Sequence, residues 1–266
     1  MRRWWVVVLG AMVLGGLACP VRAQGAAPPA EKPAAAEDKT PTAADYLAEA
    51  DALMAKKDYS KALSKYLMSW LQGPENTVVL DRIGDLFMVT NKAADATRFY
   101  AVAIRLDPRM EEPVLGLAQA YLTVKRVDQA LLLLDEPGRK AIFGKSVRYQ
   151  QLLGRTYIFA GKPAQAIPVL KAAIAQAPQM GSLYGELGNA CLMAKKYADA
   201  ADAYAKALEK DPKDATAALY RSMALEKLEK WGEAVAALQT YLTLTNPPAD
   251  HAERKRLETL QAKVPK

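Results

Sequence analysis

The stretch Lys57-Asp58-Tyr59-Ser60-Lys61-Ala62 returns later in the chain as Lys195-Lys196-Tyr197-Ala198-Asp199-Ala200. Each is a short polar turn that runs into an alanine. The same alanine recurs at Ala96, Ala130, Ala166 and Ala234, with intervals of 34 residues and a single interval of 36. Spacing this regular marks stacked supersecondary units. Other positions keep the register. Four residues after each alanine stand Tyr66, Tyr100, Leu134, Leu170, Tyr204 and Leu238, and twelve after four of them stand Pro74, Pro108, Pro178 and Pro212. Upstream lies a small residue, Ala50, Gly84, Ala118, Gly154, Gly188 or Ser222, followed three positions later by Leu53, Phe87, Tyr121, Tyr157, Cys191 or Leu225.

The pattern has a physical reading. Alanine is abundant and β-branched runs are scarce beyond the N-terminus, which favours helix over strand. Each period has room for two helices of about 12 to 15 residues, too short to be stable alone in water. The small slot and the alanine slot sit where two helices cross, because only a small side chain lets the backbones approach. The larger slots fill the space between helices and against the next unit. Proline ends the second helix. Stacking buries a continuous core that no single unit can bury.

Leu80-x2-Ile83-Gly84-x2-Phe87 and Tyr184-x2-Leu187-Gly188-x2-Cys191 resemble the tetratricopeptide repeat, whose pattern is Trp-x2-Leu-Gly-x2-Tyr, then Ala-x3-Phe, then Pro. The resemblance implies an all-α fold, an α-α superhelix of about six helix-turn-helix repeats over residues 43–246. The units fall at about 43–76, 77–110, 111–146, 147–180, 181–214 and 215–248. Three departures stand out. Glu49 holds a slot that is usually Leu. In the third repeat Leu131–Leu134 runs into Asp135-Glu136-Pro137-Gly138, which predicts a shortened second helix and an irregular connection from Arg139 to Ser146. In the sixth the proline slips to Pro247-Pro248. Residues 249–266 leave the pattern, but Leu257, Leu260 and Val264 keep helical spacing and predict a C-terminal capping helix.

The N-terminus reads as an address. Met1-Arg2-Arg3 is a positive start, Trp4 to Ala18 is uncharged and apolar, and Val21-Arg22-Ala23 offers small residues where a signal peptidase reads. The expectation is a signal peptide at 1–23, cleaved after Ala23, and a periplasmic or secreted protein. Membrane attachment is the alternative, through an uncleaved segment or through lipidation of Cys19, whose Gly16-Leu17-Ala18 context departs from a lipobox. Residues 24–42 are Ala- and Pro-rich and read as a linker. Removing Arg2, Arg3 and Arg22 leaves 33 basic and 29 acidic residues, a net of +4. The charges alternate in sign, as in Lys206, Glu209, Lys210 and Asp211, so nucleic acid is not an expected partner.

The residues of catalysis are thin. The single histidine, His251, has no Cys or carboxylate cluster around it, and Cys191 falls in a core slot. Neither a nucleophile elbow nor a phosphate-cradling glycine loop appears. Tyr46, Tyr59, Tyr197 and Trp231 fall in packing slots and are expected in the core. The reading is not an enzyme, with no cofactor, no metal and no small-molecule substrate. It is a protein-interaction scaffold or adaptor of the cell envelope, or an accessory subunit of an envelope complex if the chain is membrane-attached.

The resemblance also implies where a partner protein or peptide binds, since first helices line a concave groove in this family. The positions that face it include Asp81, Asp85, Gln119, Arg148, Gln151, Arg155, Asn189, Tyr220 and Met223. The first half of that set is largely acidic and the fourth repeat is basic. Arg148 and Arg155 lie two turns apart on one face with Gln151 between them. No acidic partner for them is evident within their own repeat, so a free basic strip is expected. Chaperone-binding members of the family hold a peptide carboxylate with Lys, Asn and Arg. Here Asn189 matches one such slot, but the lysine is missing and Tyr220 stands in the partner slot.

Overall fold

The computed structural model describes residues 40–248 and 251–265. The expected signal peptide, residues 24–39 of the expected linker, and residues 249, 250 and 266 lie outside the described residues. Among the described residues every regular element is an α-helix. The first pair is α1 (Ala43–Ala55) with α2 (Tyr59–Gln72), the second α3 (Thr77–Val89) with α4 (Ala93–Leu106), and the third α5 (Glu111–Thr123) with α6 (Val127–Leu134). A short helix, α7 (Pro137–Phe143), follows. The fourth pair is α8 (Val147–Phe159) with α9 (Pro163–Gln176), the fifth α10 (Gly181–Met193) with α11 (Tyr197–Lys210), and the sixth α12 (Ala215–Lys227) with α13 (Trp231–Thr245). Helix α14 (Ala252–Gln261) packs on α13 and closes the row. This is the expected superhelix of six helical pairs with a terminal cap.

The register holds residue by residue. All six repeat alanines, Ala62 through Ala234, are fully buried, and the side chains four residues on, Tyr66 through Leu238, are 0–1% exposed. Each alanine lies near the start of a second helix, where its methyl group sets the crossing distance.

The turn within each pair is built the same way six times. The residue five before each alanine, namely Lys57, Asn91, Lys125, Gly161, Lys195 or Glu229, takes a left-handed φ of 58–68°. The next amide then donates back to the carbonyl of Leu53, Phe87, Tyr121, Tyr157, Cys191 or Leu225 at 2.8–3.0 Å. This is the helix-ending hydrogen bond of a Schellman-type cap. Only Gly161 adopts that conformation without steric cost. The other five side chains accept a penalty of about 1 kcal/mol each to close the turn.

The third unit departs from the expected irregular connection. Residues 137–143 form α7, started by Pro137 at a position that needs no amide donor. Phe143 is buried, 5.8 Å from the ring of Tyr149. The Tyr149 hydroxyl donates to the carbonyl of Leu134, and Gln150 Nε2 donates to the carbonyl of Gly144 at 2.7 Å. The shortened α6 is as expected, and α7 supplies the apolar cover that its missing turns would have supplied.

First helices of successive units touch, α3 with α5, α5 with α8, α8 with α10, and α10 with α12, while second helices have no comparable contact with one another. Within residues 41–266 the first helices therefore line the inner, concave side of the curve.

Because Ala200 is fully buried at a helix crossing and Asp199 is exposed, Ala200→Glu is expected to lower stability by about 2 kcal/mol or more and Asp199→Glu by less than about 0.5 kcal/mol. Thermal or denaturant melts of the two variants check this, and equal midpoints would contradict the register.

Candidate functional site

Helices α3, α5 and α8 meet on the concave side. A cavity of about 530 Å³ opens there, with Asp81, Arg82, Asp85 and Met88 from α3, Glu112, Leu115, Gly116 and Gln119 from α5, and Arg148 and Leu152 from α8. The ring of Tyr100, from α4, forms part of its lining. Four residues expected in the groove, Asp81, Asp85, Gln119 and Arg148, thus share one cavity. Gln151 and Arg155 lie further along the row on α8, Asn189 on α10, and Tyr220 and Met223 on α12.

The apolar wall of Leu115, Gly116 and Leu152 was not among the expected residues. Its signal in the sequence is Gly116, two residues before the small slot at Ala118. A β-carbon on Gly116 would lie 2.5 Å from the Tyr100 ring, and one on Gly84 would lie equally close. Two glycines from neighbouring repeats therefore accommodate a single ring.

The charges in the cavity are mostly balanced. Arg82 lies 3.6 Å from Asp85 and 3.9 Å from Asp51. Asp85 also accepts the Tyr100 hydroxyl at 2.7 Å. Arg148 pairs with Glu112 at 3.4 Å, both side chains being more than half exposed. Asp81 differs. It is only 6% exposed, and among the described residues it takes part in no hydrogen bond or ion pair. Burial, and then the neighbouring Asp85 carboxylate, push its carboxyl up to about 7.

The expected free basic strip on the fourth repeat is not present. Arg155 donates to Glu186 on the next first helix through Nε at 3.0 Å and through a terminal nitrogen at 2.5 Å, and Gln151 donates to the same carboxylate oxygen at 3.1 Å. The acidic partners missing within the repeat come from its neighbours, Glu112 before and Glu186 after. Single-repeat reasoning does not reach them because they are 36 and 31 residues away.

Asn189 and Asp85 also hold the fold together. Asn189 Oδ1 accepts the Tyr204 hydroxyl at 2.7 Å, as Asp51 accepts that of Tyr66 at 2.6 Å. Tyr220 stacks on Tyr204 with ring centroids 6.0 Å apart, and Met223 is exposed. Tyr46, Tyr59, Tyr197 and Trp231 are all half-buried; Trp231 packs against the core as expected, and the three tyrosines lie at its margin. Lys65 Nζ lies 5.1 Å over the ring of Tyr46 and Lys263 Nζ 4.5 Å over that of Trp231.

His251 caps α14, where its Nδ1 accepts the Glu253 amide at 3.4 Å. Cys191 is buried, and burial pushes its thiol up, away from the reactive thiolate. Among the described residues no three acidic, His or Cys side chains are grouped to hold a metal ion, and no helix is long and apolar enough to cross a membrane.

The helical pairs, their period and their concave groove have a counterpart in known proteins. Residues 152–215 and 194–251 match the tetratricopeptide repeat family model. Over that span, from within α8 to just past α13, the chain is similar to tetratricopeptide repeats. Among solved structures, a tetratricopeptide repeat protein from Parabacteroides merdae superposes with a TM-score of 0.67 at 14% identity, covering 83% of this chain and 87% of that one. The structure of YrrB, described as a TPR protein with an unusual peptide-binding site, superposes with a TM-score of 0.60 at 17% identity, covering 73% and 97%. The APC/C hetero-tetramer Cut9-Hcn1 superposes with a TM-score of 0.65 at 18% identity. There 86% of this chain is covered, and the chain spans 44% of its counterpart's length. At these identities the likeness is one of fold. No curated protein matches the chain at the sequence level.

The two arginines of this repeat protein's fourth unit are held differently. Glu186 is 12% exposed at its side chain, whereas Glu112 is largely solvated. Arg155→Ala leaves a largely desolvated carboxylate with Gln151 as its remaining donor and is expected to lower stability by about 1–3 kcal/mol. Arg148→Ala removes an exposed pair and is expected to change stability by about 0.5 kcal/mol or less. Urea unfolding of the two variants distinguishes them, and a silent Arg155→Ala would show that the inter-repeat pair contributes nothing.

Proposed function

We propose that this protein is a non-catalytic tetratricopeptide-repeat scaffold that holds a segment of a partner protein in the groove lined by its first helices. Tetratricopeptide repeats generally bind proteins or peptides, and the cavity between α3, α5 and α8 carries the reading here. It is concave, it is open along the groove, and it combines an apolar wall with polar groups that converge from three helices. YrrB, with a related fold, is described as having a peptide-binding site of its own, which supports a peptide as the occupant.

Capture of partners from cell extract tests the face. The pair Gln119→Lys and Arg148→Glu alters exposed or half-exposed groove side chains. The pair Lys206→Glu and Lys210→Glu alters exposed side chains on α11, a second helix. The groove pair is expected to cut capture of the proteins identified by mass spectrometry by about tenfold or more while leaving the melt nearly unchanged. The α11 pair is expected to retain capture. The opposite pattern would move the binding surface to the convex side.

We further propose that the protein resides in the cell envelope, in the periplasm or secreted. The support is the sequence of residues 1–23, with its basic start, apolar stretch and Val21-Arg22-Ala23. Intact mass of the protein from its own cells is expected to correspond to a chain beginning at Gln24. Retention of residues 1–23, or an acyl mass added at Cys19, would instead make it a membrane-attached subunit.

A further inference from the structure

One carboxylate in the groove lacks a counter-charge. The cavity holds three acids, Asp81, Asp85 and Glu112, and two arginines, Arg82 and Arg148. Both arginines are engaged, Arg82 between Asp51 and Asp85 and Arg148 on Glu112. Asp85 has the Tyr100 hydroxyl as well. What remains is Asp81, more than nine-tenths buried, with neither hydrogen bond nor ion pair among the described residues. Buried polar groups are nearly always satisfied, and a buried charge is costly when it is not. The Asp81 oxygens are not sealed in the core but reach the cavity, so an occupant of that cavity can supply the missing donor.

The surroundings specify that occupant. The charge it must meet is negative. The carboxylates are not grouped for a metal ion, so the complementary species is an organic cation. Met88, Leu115 and Leu152 offer an apolar wall along which a methylene stem can lie. A long aliphatic stem ending in a cation is the chemistry of lysine and arginine. We propose that the α3–α5–α8 cavity is a specificity pocket for a basic side chain of the partner segment, lysine or arginine, whose cationic head seats on Asp81.

The pocket rests on the groove reading given above and adds a requirement to it. The groups facing Asp81 are Asp85 and Arg82 on α3, Glu112 on α5, Arg148 on α8 and Tyr100 on α4. Burial, and then the Asp85 carboxylate, leave the empty carboxyl half-protonated near pH 7, with the arginines acting in the opposite direction. Below that pH it is neutral and has no charge to offer, so capture of a basic side chain strengthens as pH rises through about 7 and weakens as pH falls. The empty protein follows the opposite sign. The folded carboxyl titrates near 7, above its unfolded value of about 4, so stability declines as pH rises between the two. Asp81→Asn, which carries no charge, is therefore expected to melt no lower than the parent at about pH 8.

The test uses the full chain and a library of random peptides displayed on phage, panned at about pH 8 on the parent and on Asp81→Asn. The parent is expected to enrich peptides with Lys or Arg at one fixed position, and Asp81→Asn is expected to lose that preference. A synthetic enriched peptide should bind Asp81→Asn about tenfold or more weakly. Its own Lys→Gln variant should bind the parent equally weakly, with little added loss when both changes are combined. On the parent alone, the Lys peptide should weaken between about pH 8 and pH 6 and the Gln peptide should not, a readout that needs no variant of the protein. Peptides without a basic consensus that bind both proteins alike, but lose binding to the Gln119→Lys and Arg148→Glu pair, would overturn the pocket and leave the groove reading in place. A library that yields no groove-dependent binder would overturn both.

Discussion

The contact between the side chain four residues past each repeat alanine and the small residue of the preceding helix governs the whole stack. Tyr100 shows it most fully. Its ring lies against Gly84 of its own unit and Gly116 of the next, so close that a β-carbon on either would fall 2.5 Å from a ring atom. Tyr204 stands against Gly188 and Leu170 against Gly154 with similar closeness, at 2.7 and 2.6 Å. Helices of this length have little stability of their own, so they depend on such contacts for their existence. The tyrosines add a second tie. A buried phenol must place its hydroxyl on an acceptor, and Asp51, Asp85 and Asn189 each stand one residue past the small slot to take it.

That arrangement also makes the groove. Each first helix must turn its small residue toward a second helix, which leaves the residues around the next one or two positions facing the concave side. Asp85 does both, accepting the Tyr100 hydroxyl and lining the cavity. The groove floor is therefore the far side of the packing core and inherits its rigidity. The inter-repeat pairs Arg148–Glu112 and Arg155–Glu186 run along the same surface and neutralise most of its charge. Such neutralisation gives Asp81, the cavity carboxylate without an ion pair among the described residues, its weight, because an ionised group in a balanced field is what a partner can recognise.

The third unit shows how a solenoid tolerates a defect. Asp135-Glu136-Pro137 stops α6 after eight residues, and the stack loses apolar cover over Tyr149. The two extra residues of this unit allow α7 to fold back and place Phe143 in the gap. Lys140 then pairs with Asp135, which also accepts the Tyr157 hydroxyl at 2.5 Å. Continuity of the core, rather than identity of every repeat, is the condition that the stack must meet.

The sequence by itself determined the period, the helical class and the core. Alanine, glycine and tyrosine at fixed intervals are close-packing constraints, and such constraints are local enough to read from spacing, as Ala62, Gly84 and Tyr100 show. The groove positions followed from the same register, and Asp81, Asp85, Gln119 and Arg148 do share one cavity. Three features were decided only by tertiary structure. The left-handed turn residue is Lys or Glu at four of six positions and glycine only at Gly161, because the Schellman closure outweighs side-chain preference. Helix α7 forms because Phe143 finds a vacancy left by a neighbour. The charge state of the groove depends on which arginine meets which carboxylate from 31 or 36 residues away. Pairing between repeats is set by the superhelical curvature, and curvature is a sum over packed side chains that no single stretch of sequence contains.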